Sequence, residues 1–289
     1  MELATILGLL LAASPPPSQA DIERVQDVRV AKIGHDLVTA NAGRCARRAP
    51  ATGLLLGTPE AGRYPGVVAV LPGSPAAGVD IAPDDIIQSI GGTAMPMLGD
   101  PAFKDASAWM RAVHDRLDTG LAAGAAVLAI RRGERTLSVE LAGMPACATR
   151  FVISNTRALN AGADGQYVRI SQSMFAEFRS DDELAAILAH ELAHNILDHR
   201  AVLDAQGVSR GLFGRIGRNA AKIRETEIAA DRLSLTLMRD AGYRMAAAPE
   251  FWARFEKKHG SGIFADATHL NGRRRVDMLN AEIARIDGR

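Results

Sequence analysis

The stretch HELAH, His190 to His194, places two imidazoles four positions apart with a carboxylate beside the first. On a helix such positions share one face with Cβ atoms about 5–6 Å apart, which suits two imidazoles sharing one tetrahedral zinc. Glu191 flanks that face and is the candidate base for a zinc-activated water attacking a peptide carbonyl. The residues before it predict a buried helix. Ser180 and Glu183 form a capping-box pattern, and from Leu184 onward the chain is almost wholly Ala, Leu and Ile. Polar groups set into so apolar a cylinder cost roughly 2–7 kcal/mol each unless partnered, so His190, Glu191 and His194 call for partners.

Catalytic zinc needs a third protein ligand and one open position. Downstream, RETEIAADRLSLTLM carries Glu227 and Asp231 one helical turn apart. Glu227 is the candidate third ligand, and Asp231 can accept the spare N–H of a ligating histidine and fix its tautomer. The HExxHxxGxxH arrangement is excluded, because Leu197 and Arg200 stand where its Gly and last His would be. His199 is expected off the ligand face, as a charge partner for the end of the HELAH helix. His35, His114 and His259 carry no spacing argument.

Forty-seven per cent of the 289 residues are apolar, enough for a packed core, and 34 Lys and Arg against 33 Asp and Glu leave a net charge of +1. That balance provides no field to draw in nucleic acid, so none is expected as a partner. At the N-terminus an apolar run from Leu3 to Ala13 precedes a Pro-rich break and a small-x-small site at Ser18 to Ala20, the layout of a cleaved signal peptide over residues 1–20. Export, to a periplasm, is the expectation. An uncleaved N-terminal anchor is the alternative, since the leading segment has Glu2 and no Lys or Arg, although the run is shorter than the roughly 20 residues a span requires. No later segment reads as a membrane span. Cys45 and Cys147 belong to no metal or redox motif, and with an export signal they suggest one disulfide closing a loop of about 100 residues, valued at roughly 4–5 kcal/mol by chain entropy. Two buried thiols are the alternative.

Along the chain, Asp21 to about Arg48 reads as an amphipathic helix that ends by Pro50. Strands follow at Gly66 to Leu71 and Asp85 to Ile90, a helix at Lys104 to Leu117, and a hairpin from Ala125 to Ile130 and Thr136 to Leu141. Through GVVAVLPGSPAAGVDIAPDDIIQSIGG this part, residues 50–145, resembles a PDZ domain of the bacterial periplasmic-protease type, with Asp84 where that family usually has Gly. The resemblance implies capture of peptide C-termini as an added strand, near Gly53 to Gly57. A spacer or interdomain brace is the alternative. Beyond Cys147, Phe151 to Ser154 and Tyr167 to Ile170 read as strands flanking a turn at Asn160 to Gly165, and helices follow.

HELAH followed by the ExxAD of Glu227 to Asp231 resembles the gluzincin peptidases that include the CAAX prenyl protease, HtpX and periplasmic quality-control peptidases. The resemblance implies His190, His194 and Glu227 as zinc ligands, Glu191 as base and Asp231 behind the ligands. LNAGADGQYVRIS looks like that family's active-site edge strand, so Asn160, Ala161, Gly165, Tyr167, Val168, Arg169 and Ile170 are substrate-strand candidates, with substrate extended along Tyr167 to Ile170. ATHLNGRRRV resembles the family's Thr-His-Pro...Arg segment, with Leu270 in place of Pro, and brings His269 and Arg275 to the site. His269 is there either a transition-state donor or an inhibitory extra ligand. The Gly- and Arg-rich stretch 207–222 reads as a lid, as a peripheral membrane contact through Leu212, Phe213 and Ile216, or as a plain connection.

These readings combine into an α+β protein: a mainly helical zincin domain with a small edge-strand sheet, built from residues 21–49 and 146–289, with the PDZ domain inserted. One zinc per chain and polypeptide substrates, unfolded or damaged envelope proteins, are expected for an endopeptidase. A chaperone-like or adaptor protein with a closed or structural zinc site is the rival reading.

Overall fold

The computed structural model describes residues 18–58, 62–208, 218–260 and 272–288. Helix α1 (Gln19–Ala40) starts at a capping box between Ser18 and Asp21 and buries Val30, Ile33, Leu37 and Val38. It ends well before Arg48, because Asn41 donates its side-chain amide to the carbonyls of Leu37, at 2.9 Å, and Leu237, at 3.1 Å, capping the last turn and tying it to a later helix. Strand β1 (Arg48–Ala51) then pairs antiparallel with β8 (Met144–Cys147), and the Cys45–Cys147 disulfide, spanning 102 positions, closes this neck.

Between the neck strands lies a six-stranded sheet in the order β2 (Leu54–Gly57), β3 (Gly66–Val70), β4 (Ile86–Ile90), β6 (Ala125–Arg132) and β7 (Arg135–Ala142), with β5 (Thr93–Ala94) paired to β4. Helix α2 (Ala106–Leu121) covers it through Trp109, Val113, Leu117 and Leu121, and the two share a core of their own with Ile87, Ile90, Leu128 and Ile130. At the turn into β4, Asp84 adopts φ 70°, the left-handed region in which Asp is among the more tolerated non-Gly residues.

After β8 come β9 (Arg150–Ser154), β10 (Ala161–Ala163) and β11 (Tyr167–Ser171), a three-stranded sheet ordered β10-β11-β9. Strand β11 runs parallel to β9 and antiparallel to β10, so Tyr167 to Ile170 form the interior strand. The expectation that they form an open edge is corrected: the edge is β10, inside the segment expected to be a turn. Tyr167, Val168 and Ile170 are buried accordingly. Glycine at position 34 lets α1 lie on this sheet, since a Cβ there would meet the Phe151 ring at 2.2 Å.

Short helix α3 (Gln172–Phe175) leads to α4 (Asp181–Ile196), α5 (His199–Ala205), α6 (Arg218–Asp240), α7 (Ala247–His259) and α8 (Gly272–Asp287). Helix α4 is buried along nearly its whole length and packs against α1, α6, α7 and β10. Its capping box is half formed. Ser180 accepts from the Glu183 N–H, but the Glu183 carboxylate accepts from Arg179 N–H and from Arg254 of α7, an anchor between two helices.

Contacts from α2 tie the six-stranded part to the rest. Arg111 donates to Asp164 at 2.7 Å, Arg150 pairs with Asp118, and the Tyr167 hydroxyl meets His114 Nδ1 at 2.7 Å. Beside these contacts a cavity of about 210 Å³ is lined by Leu54, Leu56 and Met110 from the six-stranded part and by Gly34, Val38 and Phe151 from the remainder. No helix among the described residues is long and apolar enough to cross a membrane.

Candidate metal centre

Helices α4 and α6 lie side by side, and their facing polar residues meet. His190 Nε2 and His194 Nε2 are 3.2 Å apart; the Glu227 carboxylate lies across them, one oxygen 3.4 Å from His190 Nε2 and the other 3.5 Å from His194 Nε2. For metal–ligand bonds of about 2.0–2.1 Å, neighbouring corners of a tetrahedron are about 3.3–3.4 Å apart. The two imidazole nitrogens stand near that spacing and the Glu227 carboxylate straddles them, so the residues present fit a zinc ion. Among the described residues this is the group of His, Cys, Asp and Glu side chains able to hold a metal.

Behind this face, His190 Nδ1 lies 2.9 Å from Asp231 Oδ1, and Arg275 of α8 donates to the same oxygen at 2.5 Å while its guanidinium sits 3.6 Å from the Trp252 ring centroid. Both Asp231 and Arg275 are buried. Arg275 reaches this cluster by holding Asp231. His269 and residues 209–217 of the suspected lid lie outside the described residues, as do residues 1–17. Glu191 is half-buried on α4 beside His190.

The electrostatics follow from this packing. Burial disfavours charge on every ring here, yet hydrogen bonds to Asp231 and Glu227 outweigh it at His190 and lift its pKa to about 10. Burial and the neighbouring His190 charge push His194 down to about 3. Burial would raise Asp231, but the Arg275 charge and the His190 hydrogen bond hold it below the usual carboxylate value. Positive charge is thus favoured on His190 and disfavoured on His194, and a bound cation would compete with the His190 proton.

His199 departs from its expected place. It is buried, and its Nδ1 lies 3.0 Å from His194 Nδ1. Helix α4 stops at Ile196, and Asp198 takes a left-handed conformation, φ 48° and ψ 39°, that folds the chain back and turns His199 onto the ligand. The signal was an Asp just past the helix end, a residue type that tolerates this region.

Edge strand β10 flanks α4, and the turn after it is pinned to that helix by a hydrogen bond from Gly165 N–H to Asn195 Oδ1 at 2.7 Å. Ser171 N–H donates to Asn160 O and Asp164 N–H to Tyr167 O, so by alternation the backbone groups of Ala161 and Ala163 point away from β11, to the free edge.

Residues 130–216 match peptidase family M48. M48 peptidases are typically zinc-dependent, and the match supports a metalloprotease. It spans β9 to β11, HELAH and α5 but stops before α6, so Glu227 and Asp231 join the M48-like stretch through the packing of α6 on α4. No curated protein is similar enough to the chain to count as a match.

Proposed function

We propose that the protein is a zinc metalloendopeptidase in which His190, His194 and Glu227 hold the ion and Glu191 is the general base. The observation that carries this reading is the convergence of two imidazole nitrogens and one carboxylate within reach of a single cation, backed by a buried carboxylate on the first imidazole. Zinc held there supplies a Lewis acid that brings the pKa of a water toward about 7. The Glu191 carboxylate accepts the proton of the attacking water and hands it to the departing amide nitrogen. Asp231 keeps the His190 hydrogen on Nδ1, leaving Nε2 bare. Substrate lies extended along the outward backbone groups of Ala161 and Ala163, as an added strand on β10.

The six-stranded part is proposed to be a PDZ-type module spanning residues 50–145. Support comes from the SPAAG turn, which forms a short 3-10 helix at Pro75–Gly78, from the left-handed turn at Asp84, and from β2, which ends the sheet. A peptide end entering the cavity between β2 and α2 touches α1 and β9 as well, which suits recruitment of exposed chain ends to the peptidase. Export to an oxidising compartment such as the periplasm is proposed from the apolar N-terminal segment and is supported by the Cys45–Cys147 bridge. Unfolded or damaged envelope proteins are the proposed substrates.

The test is cleavage of unfolded casein by the purified zinc-loaded chain and by Glu191→Gln. The variant is expected to keep its zinc and lose about 10²- to 10⁴-fold in rate, the range of general acid–base catalysis. Undiminished cleavage by the variant would remove Glu191 as base.

A further inference from the structure

The catalytic reading leaves the buried His199 without a task. We infer that His199 is a positioning residue: its Nδ1 accepts the Nδ1–H of His194 and holds that imidazole with Nε2 bare and directed at the metal. The inference rests on the proposed metal site and adds a residue to its supports.

Two imidazole nitrogens 3.0 Å apart share one hydrogen, carried by one and accepted by the other. His194 Nε2 faces His190 Nε2 and Glu227, where a ligand must present a lone pair, so the hydrogen of His194 belongs on Nδ1. Nδ1 of His199 is then the acceptor, and its own hydrogen sits on Nε2. The rings stand nearly perpendicular, 76° between planes with centroids 4.9 Å apart, so the contact is edge-on through the nitrogens and not a face-to-face stack. The left-handed turn at Asp198 makes this possible, because five positions along an unbroken helix would carry His199 about 140° away from His194.

The two histidine ligands thereby receive unlike support. His190 leans on an anion, Asp231, itself clamped by Arg275; His194 leans on a neutral ring, a weaker acceptor. A ligating histidine whose outer partner is removed typically loses 10- to 100-fold in metal affinity, so His199 should matter on that scale.

The experiment is zinc titration of the full metal-free chain against a competing chelator, with metal-free melting followed for each variant. His199→Phe keeps a ring and removes the acceptor; His199→Asn restores an acceptor oxygen close to the Nδ1 position. The Phe variant is expected to bind zinc about 10- to 100-fold more weakly and the Asn variant within about threefold of wild type. Equal affinity for Phe and wild type, or an Asn variant as weak as Phe, overturns the inference. Should the Phe variant fail to fold, His199→Asp carries the test: its carboxylate should bind zinc more tightly than Asn, and equal affinities overturn the claim. A wild type that takes up no zinc sinks the metal site itself and this inference with it, whereas a zinc-binding wild type with insensitive variants sinks this inference alone.

Discussion

Two buried carboxylates, one in each part of the molecule, are satisfied in different ways. In the six-stranded part, Asp85 accepts from Arg132 at 2.7 and 2.8 Å and from the Ala82 N–H at 2.9 Å, and Arg132 directs its remaining donors to Asp80 at the surface, so the set closes with its partners paired. In the helical part, Asp231 shares one oxygen between Arg275 and His190, and His190 turns its far nitrogen toward His194 and Glu227. The first arrangement ends in satisfied donors and acceptors. The second ends in two imidazole nitrogens and a carboxylate that could hold a metal ion. A buried charge inside a closed set reads as structure; one at the back of an open chain of contacts reads as the support of a site.

Substitutions can break or sharpen that contrast. The largest effect is expected at Glu227→Gln, which exchanges an anionic ligand for an amide: zinc affinity should fall by more than the roughly 100-fold upper range of an outer-partner change, and casein hydrolysis should vanish. Asp85→Asn should leave zinc content, read by metal analysis, at the wild-type level. Next comes Arg275→Met, which strands Asp231 in a dry setting; denaturant unfolding of the metal-free protein should show a loss of about 3–5 kcal/mol, accompanied by weaker zinc binding. Arg132→Met removes the partner of Asp85 where water can reach, since the Arg132 side chain is 38% exposed, so a smaller loss than for Arg275→Met is expected, with zinc affinity unchanged. If Arg132→Met weakened zinc binding as much as Arg275→Met does, the contrast between closed set and open chain would be lost.

Two smaller effects refine the picture. Ala161→Pro removes an N–H that points to the free edge and spares the β10–β11 ladder; one lost backbone hydrogen bond to substrate should lower kcat/KM about 3- to 10-fold. An unchanged kcat/KM would move the substrate off β10. The last effect is in pH. Asp231 titrates below its ordinary value of 3.8 in the folded protein, so its contribution to metal-free stability is present above that value and is lost as pH falls through the lower folded pKa. The stability gap between wild type and Asp231→Asn should therefore close in acid below about pH 3.8, hold from there to about pH 6.5, and shrink again as pH rises toward the lifted His190 pKa of about 10; a gap that widened in acid would contradict the paired carboxylate.

Much of this was legible in the sequence, unevenly. Four of the six strands and the helix of the six-stranded part followed from short apolar runs between turn residues, whereas β2 and β5 did not, and α4 followed from its cap and its Ala- and Leu-rich body. The left-handed turn at Asp84 was not legible, because Asp marks that region less plainly than Gly. Strand β10 was missed because AGA at Ala161–Ala163 has no side chain that marks a strand; only pairing with β11 defines it. The end of α1 was misplaced because Asn41 caps the helix partly through Leu237, a residue far along the chain.

The sequence by itself determined that His190 and His194 share one face and that Glu227 and Asp231 share another, because the 3.6-residue period of a helix is a property of its local backbone. Only the tertiary structure decided that those faces oppose each other, that Arg275 closes behind Asp231, and that the turn at Asp198 swings His199 back onto His194. These depend on how α4, α6 and α8 bury their apolar surfaces together, a sum over many weak contacts that no short stretch of sequence encodes.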